Sequence, residues 1–310
     1  MAAHSPDDPR GDALGQKAPP HGWQFIGLAE LGINTARSYA AALLRIVLYP
    51  LAVATVLALG VVAVVNLTGR PLGLIPLNPV VGILTQFGLI VAAGAAVLRG
   101  VVRSHRRPWQ SLVAPDLCID WRRLSIGLGV QLALLGSEFA VVAVLAGLPL
   151  RAGLPAVLPG TLLALILIPL QSASEEVLFR GYLTQAIGRL VGGRTLIALI
   201  VALLFGGLHL NSHGPLTIPY FAVFSLILSV VSLRDDRLEL AIGGHTGVNL
   251  FGFAAGGLLQ VGPAAIGLDS DAVAFNWASI AALVVNGAMF YGLTRLLVRV
   301  FCKPLSYRAR

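Results

Sequence analysis

Ser172–Leu183 reads SASEEVLFRGYL and continues an apolar run that begins near residue 157. Two adjacent carboxylates and an arginine therefore fall where the surrounding sequence is suited to hydrocarbon. An ionisable side chain there costs roughly 3 kcal/mol or more unless it faces a protein interior or a wet cavity, so such residues are functional-site candidates. Two further stretches repeat the pattern, LLFGGLHL at Leu203–Leu210 and IGGHTGVNL at Ile242–Leu250. Within the three stretches Glu176 and Arg180, Phe205 and His209, and His245 and Asn249 each stand four residues apart, the spacing that puts a pair on one helix face.

The whole chain supports a membrane reading. Of 310 residues 56% are hydrophobic and only 12% charged, against roughly 25% charged in an ordinary soluble domain. Apolar stretches long enough to cross about 30 Å of hydrocarbon run over 39–66, 79–98, 124–147, 157–178, 195–211, 217–233, 238–259 and 275–298. The expectation is an all-α, polytopic integral membrane protein with about eight transmembrane helices. Residues 1–38 form a cytoplasmic tail and lead-in whose Pro-, Gly- and acid-rich start cannot bury enough apolar surface to order itself. Residues 39–300 form the membrane domain, and 301–310 a cytoplasmic tail.

The net charge of +8 is distributed as a topology signal, so no nucleic acid partner is expected. With the N-terminus inside, Arg99, Arg103, Arg106, Arg107, Arg122, Arg123, Arg189, Arg194, Arg234, Arg237, Arg299, Lys303, Arg308 and Arg310 lie on the cytoplasmic side, and the outer loops hold only Arg70 and Arg151. That is the positive-inside pattern of a multi-pass protein of the cell membrane. The segment 99–123, with Trp109 and Trp121 among its arginines, is expected at the bilayer interface. Pro169 is expected to kink or break the fourth span just before Gln171.

Spacing brings the polar residues to one depth. Glu175 and His209 each stand seventeen residues from Gly192, which suits a helical hairpin turning at Gly192-Gly193 with both side chains about 25 Å from the turn. His245 and Asn249 lie seven and eleven residues beyond Leu238, roughly 10–16 Å into their span. Three helices can thus aim Glu175, His209, His245 and Asn249 at one point in the inner half of the bilayer. A carboxylate beside a histidine in a partly desolvated cavity is suited to activating water. A second histidine and an amide can donate hydrogen bonds to a tetrahedral oxyanion, at about 3 kcal/mol for a good donor. The same set also suits a divalent metal such as Zn2+, with Glu175, His209 and His245 as ligands and one position open to water; the sequence leaves both readings standing.

Other chemistries are weakly represented. There is no HExxH and no GxSxG, and His209 with His213 makes a bare HxxxH in which His213 reads as a loop residue. Cys118 and Cys302 are far apart and without CxxC spacing, so neither a disulfide framework nor a thiolate metal site is indicated. Glu138, lone in the third span, has no partner that the sequence names. The glycines Gly206, Gly207, Gly243 and Gly244, which precede the two histidines, read as sites of close helix packing.

Glu175-Glu176-Val177-Leu178-Phe179-Arg180 resembles the EExxxR motif of the CPBP family, the type II CAAX prenyl endopeptidases and bacteriocin-processing enzymes also called Abi. Phe205-Gly206-Gly207-Leu208-His209 resembles its FxxxH motif, and His245-Thr246-Gly247-Val248-Asn249 its HxxxN motif. The resemblance covers roughly 157–255. It implies an intramembrane endopeptidase acting on a membrane-associated peptide or protein, in which Glu175 activates water with His209 while His245 and Asn249 stabilise the oxyanion. Glu176 and Arg180 are then structural or substrate-positioning partners, and Phe205 packs. Family members are commonly labelled metalloproteases, and a metal-free glutamate mechanism has also been argued for the fold, so a metal cofactor stays open. A non-catalytic scaffold or immunity-type protein binding a membrane peptide through the same cavity is the alternative, followed by a proton-coupled transporter, because Glu and His also relay protons through helical bundles.

Overall fold

The computed structural model describes residues 23–69, 79–146, 158–210, 215–254 and 276–302. Most of these residues are helical, with no strand among them. After a short α1 (Trp23–Gly27) come α2 (Ala36–Thr68), α3 (Pro79–Arg103), α4 (Trp121–Ala146) and α5 (Leu158–Glu176). A π-helical segment, Val177–Leu183, joins α5 to the short α6 (Thr184–Gly188). The rest is α7 (Arg194–Gly207), α8 (Thr217–Asp235), α9 (Glu239–Phe253) and α10 (Trp277–Phe301).

Each expected span overlaps a helix, and among the described residues five helices are long and apolar enough by length and composition to cross a membrane: α2, α4, the α5–α6 rod, α8 and α10. α2 shows why lipid is its solvent. Its 33 residues rise about 50 Å, and Leu43, Leu51, Leu59 and Leu67 along it are exposed. A row of exposed leucines this long on one helix has no aqueous explanation. Its start is fixed by a capping box, with Thr35 Oγ1 accepting from the Ser38 amide and Ser38 Oγ accepting from the Thr35 amide.

The inner layer is α4 packed along α9, and glycine makes the approach close. Gly243 and Gly247 form a small-xxx-small face on α9. A Cβ on Gly243 would run into the Leu124 carbonyl oxygen and the Leu128 amide nitrogen of α4, and one on Gly247 into the Gln131 side chain. Gly244 sits under the Phe290 ring and Gly206 against the backbone of α8, whereas Gly207 faces open space. Of the four glycines read as packing sites, Gly206, Gly243 and Gly244 serve that purpose.

The break expected at Pro169 does not occur. Pro169 lies within α5, which runs on as helix to Glu176; the irregular geometry is the π segment that follows. The segment 99–123 is packed into the bundle. His105, Ser111, Leu112 and Ala114 are buried, His105 bridges the Ile33 carbonyl (2.9 Å) and the Tyr182 hydroxyl (3.0 Å), and Arg107 donates to the Leu28 carbonyl and Gln185 Oε1, both at 2.7 Å. Burial lowers the Arg107 pKa to about 10, which still leaves it charged at neutral pH. Arg237 binds Asp116, Glu239 and the Cys118 carbonyl, and Arg123 pairs with Asp120 and Asp235. Arg107, Arg123 and Arg237 therefore tie the segment to the bundle, and Trp121 alone of its two tryptophans is exposed. The lead-in is ordered from Trp23, with Phe25 fully buried. Residues 1–22, 303–310, Arg70, Arg151 and His213 lie outside the described residues.

Gly243→Ala is expected to destabilise the fold by about 1–3 kcal/mol, because overpacking against backbone outweighs the helix propensity gained. Gly129→Ala, on α4 with nothing within 4 Å of the added Cβ, should be neutral or slightly stabilising. Thermal unfolding of the two variants in one detergent compares them directly.

Candidate active site

Three elements supply the polar residues. The end of α5 brings Gln171, Glu175 and Glu176, the turn after α7 brings His209, and the middle of α9 brings His245 and Asn249. The hairpin turns at residues 189–193, where Gly193 takes a positive φ of 92° that favours glycine. α7 ends at Gly207, so His209 lies in the turn beyond it, yet still within stacking distance of Phe205.

His245 is the centre of the cluster. Its Nδ1 lies 2.7 Å from Glu176 Oε1 and its Nε2 3.5 Å from Glu175 Oε2. Glu176 is fully buried and its Oε1 also accepts from Arg180 Nη1 at 2.9 Å. Arg180 in turn lies over the Phe205 ring, 4.7 Å from its centroid, a cation–π contact that compensates a guanidinium otherwise bound only through Nη1. The carboxylate of Glu176 thus fixes the ring of His245 while Arg180 neutralises it, and Phe205 is the floor on which the arginine rests.

Glu175 is held from the other side. Gln171 Nε2 donates to its Oε1 at 2.7 Å, and Gln171 Oε1 accepts from Asn249 Nδ2 at 2.8 Å. Asn249 also donates to Ser172 Oγ at 3.2 Å. His209 donates from Nδ1 to the Phe205 carbonyl at 2.8 Å, and its ring stacks on Phe221 at 3.9 Å. Glu175, His209, His245 and Asn249 all line one cavity of about 310 Å³. The direct partners of Glu175 are Gln171 and His245 rather than His209. Among the described residues no three His, Cys, Asp or Glu side chains converge to hold a metal ion, so the set Glu175, His209 and His245 does not fit one as arranged.

The cavity also contains residues that the motifs do not contain. Gln131, Glu138, Tyr220 and Asn286 line it, with Gln131 Nε2 donating to Asn286 Oδ1 at 2.9 Å and Asn286 Nδ2 to Glu138 Oε1 at 2.8 Å. Asn286 is the partner of Glu138 that the sequence could not name. Two signals were available: Gln171 precedes Glu175 by one helical turn, and Gln131 and Glu138, seven apart, share a face of an apolar helix.

This geometry meets the comparisons with known proteins. Residues 156–251 match the family described as type II CAAX prenyl endopeptidase Rce1-like. The matched stretch contains Glu175, Glu176, Arg180, Phe205, His209, His245 and Asn249 and nearly coincides with the 157–255 expected from the motifs. The chain is also similar to the uncharacterized protein YyaK of Bacillus subtilis (strain 168), 28% identical over 156 residues, which cover 47% of this chain and 52% of that protein. The chain therefore spans about half the length of this curated relative. No solved structure matches it.

Removing the arginine from the knot should be worse than removing the charge pair. Arg180→Met strands the Glu176 carboxylate and is expected to cost about 3–5 kcal/mol of stability. The double variant Arg180→Met/Glu176→Gln should recover much of that loss. A double-mutant cycle by thermal or denaturant unfolding in detergent reads the coupling, and additivity of the two changes would show that the pair is not one unit.

Proposed function

We propose that the protein is an intramembrane endopeptidase, with 157–255 as its catalytic core, that hydrolyses a peptide bond of a membrane-associated substrate. The observation that carries this reading is the convergence of Glu175, His209, His245 and Asn249 on one cavity within a family-matched segment. Eight crossings with both termini cytoplasmic belong to the same proposal, supported by five helices of spanning length and the arginine distribution.

Water enters between Glu175 and His209. Glu175 takes a proton from the water as its oxygen attacks the scissile carbonyl carbon, and His209 orients the water through Nε2. The carbonyl oxygen becomes an oxyanion, which accepts from Nε2–H of His245 and from Nδ2 of Asn249. Glu176 stabilises the positive charge that His245 carries in that role. Asn249 bonds Gln171 in the substrate-free cavity, and the substrate carbonyl replaces that acceptor. As the tetrahedral carbon collapses, Glu175 returns the proton to the departing amine, which closes the proton balance without a metal.

The test is cleavage of a membrane-peptide library and a prenylated CAAX peptide by the purified full-length protein in lipid nanodiscs. Glu175→Gln is expected to lower kcat/KM by roughly 10²–10⁴, the usual contribution of a general base. His245→Ala should lower it by about 10²–10³, as for loss of an oxyanion donor. Chelator should leave the rate unchanged, and its abolition of cleavage would replace the metal-free route. Full cleavage by Glu175→Gln rejects the mechanism. A folded protein that cleaves nothing points instead to a membrane scaffold using the same cavity.

A further inference from the structure

The cavity carries a charge imbalance that the hydrolytic residues do not explain. Its lining includes two carboxylates, Glu175 and Glu138, and neither lysine nor arginine. Glu175 is engaged by Gln171 and His245. Glu138 is bound only by the neutral amide of Asn286, at Oε1, and its Oε2 has no protein donor among the described residues. Asn286 is itself buried and anchored by the buried Gln131, so the Glu138 carboxylate is held in place while its side toward the cavity stays open. Among the described residues no cation pairs with this carboxylate; an unpaired charge within a span is costly, and a cation entering the cavity would relieve that cost.

We infer that Glu138 and Asn286 form a recognition subsite for a basic group of the substrate, a lysine or arginine side chain or a free amine. The proposal deepens the proteolytic reading and takes its cavity as the substrate site. Packing fixes where the basic group belongs. On the α4–α9 face Gly127 meets Leu240 and Gln131 meets Gly247, so the two helices run in the same direction and Gln131 is level with the segment between His245 and Asn249. Glu138 lies seven residues further along α4, about 10 Å. An extended substrate rises about 3.3 Å per residue, so the basic group sits about three residues from the scissile bond. If the leaving side of the substrate runs along α4 toward Glu138, a terminal carboxylate three residues past the cleaved bond, as a CAAX tripeptide presents, meets a fixed negative charge, and the subsite favours a basic position over it.

The experiment separates this subsite from catalysis. Fluorescein-labelled Leu/Ala-rich peptides carrying a single Lys, norleucine or Glu are titrated by anisotropy against full-length Glu175→Gln protein in nanodiscs, which binds without turning over. The Lys peptide is expected to bind roughly 10- to 100-fold tighter than the norleucine peptide, the range of a charge-assisted hydrogen bond. Adding Glu138→Gln should erase the preference, and adding Glu138→Lys should transfer it to the Glu peptide. Equal binding of the three peptides, a Lys preference that survives both changes, or no binding of any peptide overturns the proposal. The preference found in a protein that cleaves nothing would keep the subsite and reject the proteolytic reading alone. Monodisperse elution of each variant guards against misfolding, to which the solvent-accessible Glu138 position is little exposed.

Discussion

A single carboxylate oxygen organises the centre of this molecule. Glu176 Oε1 receives Arg180 and His245 together, from its own helix and from α9, in a place where no water or counterion can substitute. Pairing is the condition on which a charge survives there. Once Glu176 is fixed, the orientation of His245 follows, and with it the side from which Glu175 and Asn249 approach. Phe205 belongs to the same unit: it supports Arg180 with its ring and holds His209 through its carbonyl. One aromatic residue therefore links the charge knot to the second histidine.

The helices meet this demand by giving up regularity and bulk where the knot is. The π segment begins at Val177, directly after the two glutamates, and its wider turn re-aims the residues that follow. Arg180 remains one turn from Glu176, as required for their bond, while Gly181 approaches the Leu112 backbone of the segment 104–120. Glycines on α9 bring α4 near enough for Gln131 to touch Gly247. Without that approach the Gln131–Asn286–Glu138 chain would not reach the same cavity as His245. Small residues in membrane helices are usually credited with packing; here they also set the width of the site.

The candidate site was legible in the sequence to the extent that its spacing was helical and its residues were anomalous in hydrocarbon. Glu175, Glu176, Arg180, His209, His245 and Asn249 met both conditions, and the hairpin about Gly192-Gly193 brings Glu175 and His209 to one cavity. Gln171 met them less visibly, because an uncharged amide near a helix end is unremarkable until its two partners are known. Glu138 and Asn286 are 148 residues apart, and no local pattern relates them. The packing of the segment 99–123 into the bundle was not legible, for a physical reason as well. Positive-inside statistics say on which side an arginine falls and nothing of its partners, whereas Arg107 and Arg123 of the segment, and Arg237 of the α8–α9 turn, bond specific carboxylates and carbonyls. Pro169 misled because a proline within a long apolar helix need not end it when neighbouring helices support the freed backbone groups.

The two carboxylates of the EE pair differ by one residue and live in opposite circumstances. A step of one residue turns a helix by about 100°, so Glu175 reaches the cavity while Glu176 is enclosed with Arg180. Burying an ion pair seldom adds net stability compared with apolar side chains of the same volume. A chain under selection for stability alone would have little use for Glu176 and Arg180 at this depth. Their presence is better understood through His245: a neutral partner at Glu176 could accept one hydrogen bond from the ring, but only a carboxylate can also stabilise it when it is charged. The arginine is then needed so that this carboxylate can exist in the resting protein. On this argument the EExxxR spacing records two separate requirements, a carboxylate facing the cavity and a compensated charge behind the histidine, fitted into little more than one turn of helix.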